Sequence, residues 1–513
     1  MFSKVLSAAV LGIDAYIVDV ETHFEGGLPK FIVVGLPEGA VKESMERVNA
    51  AIKNCGLRFP NKRITVNLAP ADIRKEGSAF DLPIAVGILA SVGEVSSDRL
   101  EDFLILGELS LDGSLRPIRG ALPISLLART TKKKGIIVPQ ANASEAAISK
   151  GVTVYPVKHL LEAVDFLNGG EAIAPFDINI DEVFSQSRNY HTDFSDVKGQ
   201  EHVKRALEIA AAGGHNILMV GPPGSGKTML AKRFPSILPD LTLDEALETT
   251  KIHSVAGVLP PDRALIGTRP FRSPHHTISD AGLIGGGRIP RPGEVSLANH
   301  GVLFLDELPE FKKNVLEVMR QPLEDGRVTI SRALLSLTYP AEFMLAAAMN
   351  PCPCGFATDP HNDCSCTPPQ IQKYLSRVSG PLLDRIDIHI EVPSVQYKDL
   401  ASEVPGESSA SIRERVMQAR KLQQKRFIDK KHLFCNARME SKEIRQYCKI
   451  NQEGHELLKT AITKLGLSAR AYDRILKVAR TIADIEGSEE IQQEFVGEAI
   501  QYRSLDRTLG ASY

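Results

Sequence analysis

At 513 residues the chain exceeds what one hydrophobic core can hold, since cores stop growing at about 250 to 300 residues, so two or three domains are expected. Its apolar fraction of 43% and charged fraction of 24% are those of a soluble globular protein and exclude a disordered or fibrous one. A net charge of -2 and a pI of about 6.7 exclude a global positive field, so any nucleic-acid contact must come from local patches.

The opening stretch MFSKVLSAAVLGIDAYIVDVETHF is apolar, but Asp14, Asp19 and Glu21 interrupt it before a signal peptide or membrane span is complete. No other run reaches the roughly 18 apolar residues that a spanning helix needs. Seven cysteines, four of them between Cys352 and Cys366, do not make the disulfide framework of a short secreted chain. A cytoplasmic protein with no membrane partner is expected.

Through residues 1–172, short β-like runs at 16–20, 30–34, 63–68, 103–106 and 135–139 alternate with helix-like segments, an α/β or α+β pattern. Residues 173–198 are polar and turn-rich and read as a linker. A helix at 200–212, a strand at 216–220, a glycine-rich loop and a second helix then open a nucleotide-binding α/β domain over 199–395. From 396 to 513 the periodicity turns helical, with segments at 414–427, 453–466 and 469–487.

The loop is Gly221-Pro222-Pro223-Gly224-Ser225-Gly226-Lys227-Thr228, a G-x-x-x-x-G-K-T motif directly after an apolar strand. Its glycines free backbone N–H groups to wrap phosphates, Lys227 would reach the β/γ-phosphates of ATP, and Thr228 would ligate Mg²⁺. About eighty residues on, an apolar run from Gly301 ends in Asp306-Glu307, two carboxylates suited to holding Mg²⁺ and to accepting the proton of an attacking water. A further apolar run ends in Asn350, which could orient that water or be an ordinary turn residue.

GPPGSGKTML, RPFRSPHHTISDAGLIGGG, GVLFLDELPEF and SGPLLDRIDI together resemble the magnesium-chelatase-like branch of the AAA+ ATPases, and more narrowly the YifB/ComM family, over essentially the whole chain. The resemblance implies an AAA+ P-loop core with a carboxyl-terminal helical lid. It makes Asn350 the sensor 1 residue, Arg385 a trans-acting arginine finger and Arg470 the sensor 2 arginine. A finger that serves a neighbour's ATP implies a ring.

In the first domain, KEGSAFDLPI and GELSLDGSLRPIRG resemble the α+β Lon protease-like (ribosomal S5 domain 2-like) domain also found in RadA recombination proteins. Aligned on its K-[DE]-G start, the Lon nucleophile falls on Ala79 and the Lon lysine on Leu122. Neither side chain carries that chemistry, and Ser78 has no lysine base at the matching place, so an inactive protease fold is expected.

Between Arg263 and Arg291 lie five arginines, among them Arg269, Arg272 and Arg288, with the pair His275-His276, against the single acid Asp280. By resemblance this is the insert that projects into the pore of the ring, where a positive loop can track a phosphate backbone. Adjacent histidines point apart on most backbones, which favours structural or phosphate contacts over a metal. Residues 326–332, ending in Arg332, read as a hairpin that could line the same pore; for both segments solvated loop charge is the alternative. Cys352, Cys354, Cys364 and Cys366 form C-x-C, nine residues, C-x-C, which can bind structural Zn²⁺ or stand as free thiols.

The resemblance implies a homo-hexameric motor driving branch migration on single-stranded or branched DNA during recombination or natural transformation, with recombination proteins as partners. Its alternatives are a magnesium-chelatase-like metal-insertion subunit and a protein-remodelling ATPase.

Overall fold

The structure is a computed structural model that describes residues 2–506, except 76, 171, 188–189, 261–262, 288–289, 333–334, 360, 396–404 and 431–432. It divides into two compact units: Met1–Ser187 with Leu243–Gly267, and Arg188–Thr242 with Thr268–Tyr513.

In the first unit, β1 (Phe2–Leu11), β2 (Asp14–Glu25), β3 (Lys30–Val34) and β4 (Arg63–Ala69) form a mixed sheet ordered β1-β2-β4-β3. β1 and β2 pair antiparallel from Phe2↔His23 to Leu11↔Asp14 around a tight turn at Gly12, which takes φ 67°. On β4 the side chains alternate, so Ile64, Val66 and Leu68 enter the core. The helices Gly39–Asn54 and Asp81–Val92 pack on one another, and the second covers β1 and β2.

A second, parallel sheet joins β5 (Phe103–Ile105), β8 (Gly135–Pro139) and β9 (Thr153–Val157), while β6 (Glu108–Leu109) and β7 (Leu115–Arg116) form a small hairpin. The helix Leu243–Ala256 belongs to this unit although it follows the glycine-rich loop in sequence. It packs against the helix Ala121–Thr130. Lys251 pairs with Asp14 at 2.8 Å, and the Ser254 hydroxyl donates to the buried Glu145 carboxylate at 2.5 Å.

The second unit is built on the parallel sheet β11-β14-β17-β10-β18, comprising β10 (Ile217–Val220), β11 (Phe271–Arg272), β14 (Val302–Leu305), β17 (Met344–Met349) and β18 (Ile388–Glu391). Its central strands read as continuous apolar runs because both faces are covered. Two short strands, β12 (Gly285–Gly286) and β13 (Arg291–Pro292), pair with each other, and β15 (Arg327–Arg332) and β16 (Leu335–Pro340) form an antiparallel hairpin. Among the described residues, five helices close this unit: Ser409–Arg426, Ser441–Tyr447, Gln452–Leu465, Ala469–Ile485 and Gln493–Gln501. They share one hydrophobic core with β10, β14 and β17.

Candidate nucleotide site

Parallel register decides which residues meet. Val220 of β10 lies opposite Met349 of β17, and Leu305 of β14 opposite Ala347 of β17. The residues that follow these strands, Gly221, Asp306 and Asn350, therefore emerge on one edge of the sheet, where α/β folds place ligands.

The loop from Gly221 to Gly226 passes close to other backbone. A Cβ at Gly221 would lie 2.1 Å from the Val392 carbonyl oxygen, and Gly224 and Gly226 occupy left-handed conformations at φ +75° and +89°. The helix Lys227–Arg233 starts at once. The Gln200 side chain braces the turn, its amide donating to the Ser225 carbonyl at 2.9 Å and to that of Pro393 at 3.2 Å.

Lys227 is buried, its ammonium donating to the carbonyls of Gly221 at 2.7 Å and Pro222 at 2.8 Å, with Asn350 Oδ1 at 3.3 Å. Burial draws its pKa below the usual lysine value, and Asp306 opposes that shift. The Thr228 hydroxyl donates to Asp306 Oδ2 at 2.6 Å. Backbone cradle, buried cation, and adjoining hydroxyl and carboxylate together fit a Mg²⁺-bound triphosphate.

Glu307 follows at φ 53°, in the left-handed region that non-glycine residues enter at a cost of order 1–3 kcal/mol. Its carboxylate is exposed, and Oε2 lies 3.3 Å from Nδ1 of His276. The His276 ring lies 4.1 Å from that of His275 at 33° and meets Phe311 edge-on at 6.4 Å. The two rings lie tilted against each other rather than pointing apart, which corrects the expectation for adjacent histidines, and His276 faces the site. Spacing carries no sign of this, because β11 has only two residues and the loop after it has no period.

Arg385 is engaged away from this loop. Arg385 is buried, donates to the Pro381 carbonyl at 2.5 Å and pairs with Glu324 of its own chain, while its Nε has no hydrogen-bond partner. Arg470 is exposed; one turn on, Arg474 engages Asp387. Burial by itself would raise the Asp387 pKa, but Arg474 and His215 hold it well below the usual carboxylate range.

Among the expected DNA contacts, Arg269 donates to the carbonyls of Pro239 and His300, and Arg272 makes a two-pronged pair with Glu294 at 2.6 and 2.7 Å. Both are engaged by partners inside the chain. Arg288 lies outside the described residues. Arg332 is exposed on the hairpin, whose outer face carries a ladder of hydroxyl pairs, Thr329 with Thr338 at 3.0 Å and Ser331 with Ser336 at 2.9 Å.

Cys352, Cys354, Cys364 and Cys366 converge, each offering a sulfur within 4.8 Å of the others. The Phe356 amide and the Cys352 thiol hold the Cys354 thiol down to about 5, against its desolvation. In the first unit, Ala79 is partly buried and Leu122 fully buried, and the Ser78 hydroxyl donates to Glu108. Lys75 is buried with its ammonium on the Pro70 carbonyl.

Three family descriptions match consecutive parts of the chain: "Subunit ChlI of Mg-chelatase" over residues 20–142, "Magnesium chelatase, subunit ChlI" over 193–400 and "Magnesium chelatase, subunit ChlI C-terminal" over 406–503. The chain is 47% identical to "Competence protein ComM" of Haemophilus influenzae over 509 residues, covering 98% of each. It is 46% identical to "Uncharacterized protein YifB" of Escherichia coli over 511 residues, covering 99% of this chain and 98% of that protein. Similarity to the "Magnesium-chelatase 38 kDa subunit" of Rhodobacter capsulatus is 28% over 177 residues, 31% of this chain and 50% of that one. Among the described residues, no helix is long and apolar enough to cross a membrane.

Proposed function

Because the chain belongs to the ComM/YifB family of magnesium-chelatase-like ATPases, we propose that its ATPase cycle drives a homo-hexameric ring along single-stranded or branched DNA, as a branch-migration helicase in recombination or natural transformation. The observation that carries the ATPase half is the meeting of Lys227, Thr228, Asp306, Glu307 and Asn350 at one edge of a parallel sheet. The DNA half is supported by the competence protein that matches the whole chain and by the Arg332 hairpin with its hydroxyl-lined outer face. Such a face suits phosphate contacts that carry no base sequence.

In this reading Lys227 binds phosphate oxygens, and Thr228 and Asp306 would hold Mg²⁺, which when bound offsets the charge of the triphosphate. Glu307 takes the proton of the attacking water at its carboxylate, Asn350 orients that water, and the neighbour's Arg385 and the chain's own Arg470 supply positive charge. The five closing helices act as the lid that carries Arg470. The first unit is a Lon-like tier without protease chemistry, as Ala79 and Leu122 at its key positions imply. The protein's setting is the cytoplasm, with recombination proteins as partners. A metal-insertion reading is favoured by the three chelatase-subunit family descriptions and by the partial match to the chelatase subunit.

The test is steady-state ATP hydrolysis by purified protein with and without single-stranded and forked DNA. Lys227→Ala is expected to abolish turnover, and Glu307→Gln to bind ATP and retain it. Salt-sensitive stimulation by DNA supports the motor; robust hydrolysis indifferent to DNA shifts the reading to a chelatase-like or remodelling partner.

A further inference from the structure

The four-cysteine cluster has no part in the nucleotide chemistry just described, yet its geometry is specific. Cys352 Sγ lies 3.3 Å from Cys354 Sγ and 3.7 Å from Cys364 Sγ, and Cys354 Sγ lies 3.6 Å from Cys364 Sγ. A tetrahedral zinc ion with Zn–S bonds of about 2.3 Å sets its sulfurs about 3.8 Å apart. A disulfide would need about 2.05 Å. The separations of 3.6 and 3.7 Å lie close to the first value, that of 3.3 Å is shorter, and all three are too long for the second.

Backbone donors already face the sulfurs: the Gly355 amide lies 3.2 Å from Cys352 Sγ, and the Cys354 amide 3.4 Å from Cys366 Sγ. Such N–H donors stabilise thiolates around a metal. The second C-x-C pair is anchored on its far side, since Thr367 caps the helix Pro368–Leu375 in a reciprocal capping box with Gln370. Four thiolates would leave an ion no open position for substrate, so its role is structural.

The cluster also borders the nucleotide loop. Cys352 follows Asn350 by two residues in the sequence, and a Cβ on Gly355 would lie 2.5 Å from Cδ of Pro223. The cysteine loop therefore rests on the glycine-rich loop and starts from the residue whose Oδ1 sits 3.3 Å from Lys227.

We propose that Cys352, Cys354, Cys364 and Cys366 bind one Zn²⁺, and that this ion holds the segment that presents Asn350 to Lys227 and backs Pro223. The metal site stands independently of the proposed function; the positioning role rests on the nucleotide-site reading.

The experiment is elemental analysis of full-length protein purified without chelators, together with nucleotide binding by the same preparations. The expected result is stoichiometric zinc, lost in Cys352→Ser and in Cys364→Ser and retained in Lys227→Ala. Cobalt exchanged for zinc is expected to show the absorption of tetrahedral cobalt thiolate, a reading that needs no folded variant. Four freely titrating thiols without metal, a mass lower by the hydrogens lost to disulfides, or stoichiometric iron in place of zinc would each overturn the site. Zinc-free protein that keeps its circular dichroism is expected to bind a fluorescent ATP analogue about tenfold or more weakly. Unchanged affinity there overturns the positioning role. Loss of binding in zinc-loaded Lys227→Ala tests the nucleotide reading separately.

Discussion

Glu307 presents its carboxylate from a left-handed backbone, and its amide donates to Asp306 Oδ1 at 3.0 Å. The two neighbouring acids are thereby turned to different tasks: Asp306 faces Thr228, and Glu307 faces His276. His276 is braced by His275 and Phe311, so its Nδ1 is held where it can orient the Glu307 carboxylate. His276→Ala is expected to lower kcat for ATP by about tenfold and leave nucleotide affinity unchanged, as read by steady-state hydrolysis beside fluorescent-nucleotide titration. The acids, Lys227 and Thr228 could be found in the sequence because phosphate and Mg²⁺ chemistry demands those residue types after apolar strands. His276 stood out there only as a candidate phosphate contact; its place beside Glu307 could not be read, because it depends on a turn that brings a distant loop to the end of β14.

Within the first unit, the helices Gly39–Asn54 and Asp81–Val92 are clamped by Arg47 and Asp81, whose guanidinium and carboxylate meet at 2.7 and 3.0 Å. Burial raises the Asp81 pKa to about 6 from 3.8, and the Arg47 pair and the Leu109 amide only partly oppose it. The folded chain thus keeps a proton that the unfolded chain releases near the ordinary carboxylate pKa. Asp81 therefore withdraws stability as pH rises through the window from about 4 to about 6, by about 3 kcal/mol at most. Asp81→Asn cannot titrate, so variant stability minus wild-type stability is expected to climb by that order across the window and stay flat above it. Chemical denaturation at stepped pH values reads this difference, in which the other carboxylates cancel. At this scale the sequence was partly legible. β3 and β8 were expected at residues 30–34 and 135–139, where short β-branched runs are bounded by turn residues. β1 was not, since an apolar run of that length looks the same in a buried strand and in a helix.

For the whole chain, the division into units follows packing more than order. Leu243–Gly267 lies between the glycine-rich loop and β11 in sequence, yet its contacts are with the first unit, so the chain passes from one unit to the other three times. Arg385 raises the question of assembly: it is buried on Glu324 of its own chain, with one guanidinium nitrogen unpaired. If it serves a neighbour's ATP, Arg385→Ala and Glu307→Gln proteins, each inactive alone, are expected to regain part of their hydrolysis when mixed, because some sites then combine an intact finger with an intact base. No recovery on mixing would place the effect of Arg385 within its own chain. The sequence by itself determined the phosphate loop, the paired acids, the apolar strands that carry them and the family, because these rest on residue type and on spacing along one strand or turn. Only the tertiary structure decided that His276 reaches Glu307, that Arg269 and Arg272 are bound up inside the chain, that four sulfurs meet, and that Leu243–Gly267 belongs to the first unit. Each of these is a contact between segments distant along the chain, and such contacts are set by how the packed elements bring the backbone together.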